Sequence, residues 1–187
     1  RSIDGDGYLT TYITDENGMA QPYKSTKALP KDIWAYVAVV YDVDAGTLSA
    51  YYASGDNEDV LMSDVAVGTK ANSQGNIYLG EGLTGAMHEL SLFSAPLTWT
   101  TVKAQMYLGK SHSTPALIGY WRLDEGHGTT SEDRARSRNM ILASTNSWYM
   151  ENPNLSMAVD GTHCAAIPMG TLSCRWPCAR AAPLQRE

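Results

Sequence analysis

The stretch Trp34–Tyr41, read W-A-Y-V-A-V-V-Y, constrains the fold of this chain more than any other segment. Apolar residues occupy both the even- and the odd-numbered positions. This pattern predicts a strand that is covered on both faces and lies near the middle of a sheet rather than at its edge. One face would carry the even-numbered side chains, which are Trp34, Tyr36, Ala38 and Val40. We therefore expect this segment to be a core strand on which the other elements pack.

The remaining segments continue the β pattern at intervals of roughly ten residues. Asp42–Gly46 supplies turn residues and predicts a hairpin with the strand that follows. The expected further strands are Tyr8–Thr14, Thr47–Tyr52, Val65–Val67, Ile77–Gly80 and Gly85–Phe93. Pro22 and Pro30 bracket a polar loop, and one short helix is expected at Thr98–Tyr107, after Pro96. This spacing predicts an all-β antiparallel β-sandwich, or jelly roll.

Composition narrows the classes of partner. The chain has 187 residues, of which 43% are hydrophobic and 18% charged, which suits one well-formed core. Its net charge of -6 argues against a nucleic-acid partner, and the basic run at 134–138 is interpreted as a solvated turn. No apolar run approaches the roughly 20 residues needed to cross a bilayer, so membrane insertion is not expected.

Neither the start of the chain nor its cysteines define the compartment. The opening Arg1-Ser2-Ile3-Asp4 is not a signal peptide, and we expect the chain to be a piece of a longer protein. An odd number of cysteines, which are Cys164, Cys174 and Cys178, leaves at least one without a partner inside the chain. A zinc site is not expected, because His163 is the only nearby nitrogen donor.

Four blocks in order carry a family resemblance. They are Trp34–Asp42, Leu48–Gly55, Ile77–Gly80, and Gly85–Phe93 with Ala95-Pro96-Leu97-Thr98. Together they resemble the later half of a laminin G-like domain of the concanavalin A-like lectin and glucanase class. That resemblance implies a β-sandwich, and it implies a secreted or cell-surface parent protein.

A second match follows downstream. Leu117–Thr130 with Asp133 is similar to the way such domains begin, and Trp148 and Ala158–Gly161 resemble the next two landmarks. The resemblance therefore divides the chain into a later half at 1–110, a linker at 111–116, the opening strands of a second repeat at 117–173, and a disordered tail at 174–187. Because half a sandwich leaves an apolar face uncovered, we hypothesise that the opening strands dock onto the first half and complete it.

The sequence lacks the spacing patterns that would indicate a catalytic site. Retaining glycoside hydrolases need two closely spaced carboxylates, commonly on one strand face as E-x-D-x-x-E, and this spacing is absent. The pairs Asp124-Glu125 and Glu132-Asp133 are adjacent and would point to opposite faces. No G-x-S-x-G elbow accompanies the histidines, and Cys164 beside His163 does not make a dyad by adjacency alone. No catalytic residue is assigned.

The acidic residues allow structural and metal-binding interpretations. The family usually has aspartate where this chain has His88, which is expected near the core rim on the face of Leu90 and Leu92, and Glu89 is expected to hold a loop. Asp124, Glu125 and Asp133 are candidates for fixing the loop that opens the second repeat. Many laminin G-like domains carry calcium at the sandwich rim, so the resemblance also admits calcium here. Asp4–Gly7 is interpreted as a plain turn rather than a calcium loop.

Binding would then fall to loops and aromatic side chains on a rigid scaffold. The aromatic residues in or beside expected loops are Tyr23, Trp99, Trp148 and Tyr149. Packing is the favoured interpretation of each, binding is the alternative, and none is assigned as a site. The favoured function is a non-catalytic module that binds carbohydrate or an extracellular protein. The alternatives are a structural spacer or adhesin repeat without its own ligand and, third, an accessory domain of a glycoside hydrolase. The residues do not identify the ligand.

Overall fold

The computed structural model describes residues 2–3, 6–15, 17–54, 56–68, 75–79, 84–106, 113–142, 148–151, 154–160 and 165–169. The first six strands are β1 (Ser2–Ile3), β2 (Tyr8–Thr14), β3 (Ala20–Ala28), β4 (Tyr36–Asp42), β5 (Thr47–Ser54) and β6 (Asn57–Ala66). Then come β7 (Gly75–Leu79), β8 (Thr84–Met87), β9 (Leu90–Phe93) and the helix α1 (Trp99–Met106). The last six strands are β10 (Leu117–Trp121), β11 (Thr130–Ser131), β12 (Met140–Leu142), β13 (Trp148–Glu151), β14 (Asn154–Asp160) and β15 (Ala165–Met169).

The strands form several antiparallel sheets, which confirms the all-β prediction. The sheet orders are β1-β2-β3, β4-β5-β6, β10-β9, β11-β12-β15-β7 and β13-β14-β8. Among the described residues α1 is the one helix, at the place expected for it. Thr98 caps it, because the Thr98 hydroxyl accepts a hydrogen bond from the backbone N–H of Thr101 at 3.3 Å. Within the described ranges, no helix is long and apolar enough to span a membrane.

The predicted hairpin is confirmed. β4 and β5 pair over seven consecutive positions, from Tyr36 opposite Ala53 to Asp42 opposite Thr47. The Asp42 carboxylate closes the turn by accepting hydrogen bonds from the backbone N–H groups of Asp44 and Ala45, at 3.0 and 2.9 Å. The same register places the even-numbered residues of β4 on one face, as their spacing predicted.

The expected central position of the Trp34–Tyr41 segment is wrong. In the sheet formed by the described strands, β4 is the outer strand and β5 takes the centre. Trp34 precedes the strand and is 52% exposed, whereas all seven residues of β4 are half-buried. Apolar residues at both even- and odd-numbered positions indicate that both faces of the strand are partly covered. They do not require a hydrogen-bonded strand along each of its edges.

Two other boundaries also differ from expectation. Residues between Pro22 and Pro30 form most of β3 rather than a loop, and Pro22 lies opposite Tyr12. Proline is tolerated there because β3 is an edge strand of its sheet. The expected strand Gly85–Phe93 is broken at His88 and Glu89, where Glu89 has φ 52°, and its halves join different sheets.

Among the described residues, two hydrophobic clusters form the interior. The first joins β2, β5 and β6 and consists of Leu9, Ile13, Leu29, Leu48, Ala50, Leu61 and Met62. Odd-numbered residues of β4, including Val37 and Val39, pack against it. The second consists of Leu79, Trp121, Leu123, Met140 and Leu142, with Leu90 and Leu92 of β9 packed against it. Burial of such side chains is the main stabilising term in each cluster.

Strands from the two sides of the expected 111–116 linker are hydrogen-bonded to each other. β10 pairs with β9, β14 pairs with β8, and β15 pairs with β7, all antiparallel. The strands of the downstream match thus pair with strands of the upstream match. The hypothesis that they complete one sandwich stays a prediction. The expected 174–187 tail lies outside the described residues.

Candidate functional site

An aromatic surface forms on the face of the β4-β5-β6 sheet opposite the first cluster. Tyr36 lies opposite Ala53, and Ala38 lies opposite Tyr51, so the two tyrosines are diagonal neighbours on the same face. The neighbouring positions Val37 and Tyr52 face the first cluster instead. The hairpin register therefore separates two tyrosines from the first cluster and places them on the opposite face of the sheet.

Helix α1 adds a tryptophan to this surface. The ring of Trp99 stacks on that of Tyr51, with centroids 4.8 Å apart and planes 8° from parallel. The Lys103 ammonium lies 5.6 Å from the Trp99 ring centroid and forms an ion pair with Glu58 at 3.0 Å. Offset or near-parallel aromatic pairs add about 0.5–1.5 kcal/mol beyond their buried area. The stack and the ion pair both join the helix to the sheet.

Glu89 places a carboxylate against Tyr120. The hydroxyl of Tyr120, on β10, donates a hydrogen bond to Glu89 Oε1 at 2.9 Å. Burial first, and then this hydrogen bond to a negative group, raises the pKa of Tyr120 to about 12. Burial and the charge of Glu89 also raise the pKa of Tyr36. Glu89 therefore lies within electrostatic range of a tyrosine on β4 and contacts a tyrosine on β10.

The backbone fixes Glu89 in place. Its N–H donates to the carbonyl of Arg122 at 3.1 Å, and its positive φ is a conformation that non-glycine residues seldom adopt. This local geometry turns the chain between β8 and β9. We call the set Tyr36, Tyr51, Trp99, Tyr120 and Glu89 the aromatic face. All its members are half-buried except Tyr120, which is buried.

The chemistry of the aromatic face suits adsorption of a ligand with both apolar and hydroxyl groups. Aromatic rings present flat apolar surface, while phenol hydroxyls and a carboxylate offer hydrogen bonds. Glycoside hydrolases use two closely spaced carboxylates, whereas Glu89 is the one acidic residue of the aromatic face. The arrangement can bind and orient a ligand by contact and hydrogen bonding.

Asp133 fixes the loop after β10, which is the structural role predicted for it as an alternative to metal binding. The buried Asp133 carboxylate accepts hydrogen bonds from the backbone N–H groups of Tyr120, Ala135 and Arg138, at 2.9, 2.8 and 3.1 Å. Trp121, which is fully buried, donates its indole N–H to the Arg138 carbonyl at 2.9 Å. The basic run at 134–138 is the turn these bonds close, and its three arginines are exposed.

Asp124 and Glu125 bind neighbouring groups. Asp124 forms an ion pair with Arg122 at 2.7 Å. Glu125 Oε1 accepts from the Ser131 hydroxyl and the Glu132 N–H, both at 2.8 Å. Within the described ranges, no group of three or more His, Cys, Asp or Glu side chains is placed to hold a metal ion. Asp124, Glu125 and Asp133 are therefore not placed together as the ligands of one calcium ion.

The remaining predicted residues divide into packed, exposed and undescribed ones. Tyr23 packs against the first cluster, and Trp99 is half-buried in its stack. His88 is exposed and lies outside the strands, so the expectation that it shares a face with Leu90 and Leu92 is wrong, because the chain turns at Glu89. The side chains of Trp148 and Tyr149, together with His163 and the three cysteines, lie outside the described residues.

Sequence reasoning did not single out Tyr36, Tyr51 or Tyr120. The sequence does contain a signal for Tyr36 and Tyr51. A hairpin closed at Asp42–Gly46 fixes the register, and the register determines which tyrosines share the face away from the first cluster. Tyr120 could not be found in this way, since its position follows from pairing between β9 and β10.

No protein-family model, no curated protein and no solved structure matches this chain. The laminin G-like resemblance accordingly stays a prediction that depends on the order of its motifs.

Proposed function

We propose that this chain is a non-catalytic binding module whose ligand, a carbohydrate or an extracellular protein, lies on the aromatic face. The observation that carries the proposal is the grouping of Tyr36, Tyr51 and Trp99 as half-buried rings on one side of a sheet, with Glu89 within electrostatic range of Tyr36. Sugars stack their C–H faces on aromatic rings while polar groups read their hydroxyls.

The laminin G-like resemblance supports the same class of function. It implies a jelly-roll sandwich in a secreted or cell-surface multidomain protein, and modules of that kind bind through a rigid β scaffold. Carbohydrate is the ligand we favour, because rings alternate here with hydroxyl and carboxylate groups rather than forming a wholly apolar patch.

A glycan array followed by titration calorimetry tests the proposal. We expect the intact chain to bind at least one class of glycan, and we expect Tyr36→Ala to weaken that binding by about tenfold, which corresponds to roughly 1.4 kcal/mol. Glu89→Gln keeps the shape of the side chain and removes its charge, so it separates the effect of charge from that of packing. Met19→Ala is the matched control, because Met19 is 62% exposed on the β2–β3 turn.

Trp99 needs a separate variant because it also holds the helix. Trp99→Phe retains an aromatic ring against Tyr51, and circular dichroism with thermal melting establishes whether the fold survives. Binding unchanged in Tyr36→Ala, Glu89→Gln and a folded Trp99→Phe would refute the aromatic face as the site. If the chain binds neither glycans nor extracellular proteins, the result would instead favour a spacer or adhesin repeat.

A further inference from the structure

The turn between β2 and β3 contains the one Asn-Gly pair of the chain, Asn17-Gly18. In such a pair the backbone nitrogen of the glycine attacks the side-chain carbonyl of the asparagine more readily than elsewhere, because glycine has no Cβ to obstruct the approach. Asparagine is among the chemically labile residues of proteins for this kind of reason. The turn therefore holds the sequence element that most favours loss of a side-chain amide.

The folded chain leaves this pair open to water. Asn17 and Gly18 are both exposed. Gly18 has φ 79°, and a Cβ built on it would meet no atom within 4 Å. Asn57 and Asn139 are exposed as well, but each is followed by a residue whose side chain crowds the attacking nitrogen. Among these three exposed asparagines, Asn17 is the one with an unhindered nitrogen beside it.

Asp15, which is buried, holds the turn closed. Its carboxylate Oδ1 accepts hydrogen bonds from the backbone N–H groups of Asn17 and Met19, at 2.9 and 2.8 Å. Its backbone carbonyl accepts from the N–H of Gly18 at 3.0 Å. The proton that the attacking nitrogen must give up is thus engaged in the closed turn, and it is released when the turn opens locally.

We propose that Asn17 deamidates in the folded chain and that Asp15 sets the rate by keeping the turn closed. The nitrogen of Gly18 forms a bond to the side-chain carbonyl carbon of Asn17. The amide nitrogen leaves that carbon and takes up a proton, so ammonia is released and a cyclic imide remains. Water then breaks either of the two C–N bonds of the imide ring. The product is aspartate at position 17 or, when the chain continues through the former side chain, isoaspartate.

Both products change the end of the β2–β3 hairpin. Each adds a negative charge beside Asp15, in a chain whose net charge is already -6. Isoaspartate also lengthens the backbone by a methylene group, which moves the Met19 N–H away from the Asp15 carboxylate. The pairing of Thr14 with Ala20 should then weaken. None of these residues belongs to the aromatic face, so the reaction and the proposed ligand site can fail independently.

The test is peptide mapping by mass spectrometry of the full chain during incubation in neutral buffer, beside a sample unfolded in urea. The mass of the peptide that carries Asn17 measures the reaction, and its isoaspartate content separates the two products. We expect conversion in the folded sample at a rate at least about tenfold below that in urea, because the turn must open first. Asn57, as the internal control, should stay intact in the folded sample over the same time.

Variants separate the roles of the two residues. Asn17→Gln, with its longer side chain, should abolish the mass change in this peptide. Asp15→Asn keeps an oxygen that accepts from the same two N–H groups and should react at nearly the wild-type rate. Asp15→Ala removes this oxygen and should react about fivefold faster. Circular dichroism with thermal melting establishes that the Asp15 variants are folded.

Amide hydrogen exchange at Gly18 checks the mechanism in the wild type without any substitution. The ratio of the deamidation rates in the folded and urea samples should match the open fraction of the turn that exchange reports. A mismatch of more than about tenfold would overturn the proposal. So would an Asn17 that stays intact in the folded chain while the urea sample reacts, or a folded Asp15→Ala that reacts no faster than the wild type.

Discussion

Gly119 has a side-chain neighbour that excludes any larger residue. A Cβ placed there would lie 2.6 Å from Cζ3 of Trp121, whose fully buried ring folds back over the glycine. We therefore predict that Gly119→Ala lowers the free energy of unfolding by about 2 kcal/mol, because the indole cannot move without disturbing the second cluster. Chemical denaturation measures the change.

Gly68→Ala is the matched control for this prediction. A Cβ at Gly68 would meet no atom within 4 Å. The two alanine variants add the same group to the chain, so a difference between them isolates the contact with Trp121. Equal stability of the two variants would contradict the packing described for Gly119.

Tyr120 gives a prediction at alkaline pH. Its pKa is raised from 10.0 to about 12 in the folded chain, so the protonated phenol is favoured by folding. This contribution is fully present below pH 10 and is lost as the pH rises through 12. We expect the melting temperature of the wild type to fall over this interval more steeply than that of Tyr120→Phe, which lacks the group. Parallel pH profiles of the two proteins would show that the pKa of Tyr120 is not raised in the folded chain.

At the scale of elements, α1 is attached to the sheet by two contacts that can be tested as a pair. Trp99 stacks on Tyr51, and Lys103 forms an ion pair with Glu58. We predict that the stack carries most of the attachment, with a double-mutant coupling energy of about 1 kcal/mol for Tyr51→Ala and Trp99→Ala. Exposed ion pairs contribute little, so Lys103→Ala and Glu58→Ala should couple by less than about 0.5 kcal/mol.

Unfolding free energies of the single and double variants provide both coupling values. A larger coupling for the ion pair than for the ring pair would show that the helix is held by charge. Loss of coupling in high salt would distinguish this case further, since salt screens exposed charges.

Elements whose signals are local were predictable from sequence. β2 begins and ends at the predicted residues, and the α1 helix and the β4–β5 hairpin lie where their caps and turn residues placed them. β3 was missed because Pro22 and several polar residues resemble a loop, although an edge strand accepts both. The break at Glu89 was missed because nothing in G-A-M-H-E-L-S-L-F marks a positive φ at a glutamate.

The site was less predictable than the elements, because it depends on pairing between distant segments. Trp99 was a candidate from its loop-like context, but its partner Tyr51 lies on another element. Glu89 was expected to hold a loop, yet its contact with Tyr120 requires β9 and β10 to be adjacent. Sequence patterns report local periodicity, and they do not report which distant strands meet.

At the scale of the whole molecule, two hydrophobic clusters draw on different parts of the chain. The first uses residues between 9 and 62, and the second uses residues between 79 and 142. We predict that Leu61→Ala, which removes a fully buried side chain, destabilises by about 2–5 kcal/mol and accelerates amide hydrogen exchange mainly in β5 and β6.

Met140→Ala is the corresponding change in the second cluster, and it should accelerate exchange mainly in β10 and its neighbours. Comparison of the two exchange maps shows whether the clusters open separately. Uniform acceleration across all strands by either variant would mean that the chain unfolds as one cooperative unit.

The pairing of β9 with β10 and of β7 with β15 has a consequence for synthesis on the ribosome. Phe93 leaves the exit tunnel before Trp121 of its partner strand β10, and at a translation rate of about 10 residues per second the delay is on the order of 3 seconds. During that interval Leu90 and Leu92 belong to a nascent chain whose partner strands do not yet exist. Chaperones that shield apolar segments would therefore be needed most while the second half is being translated.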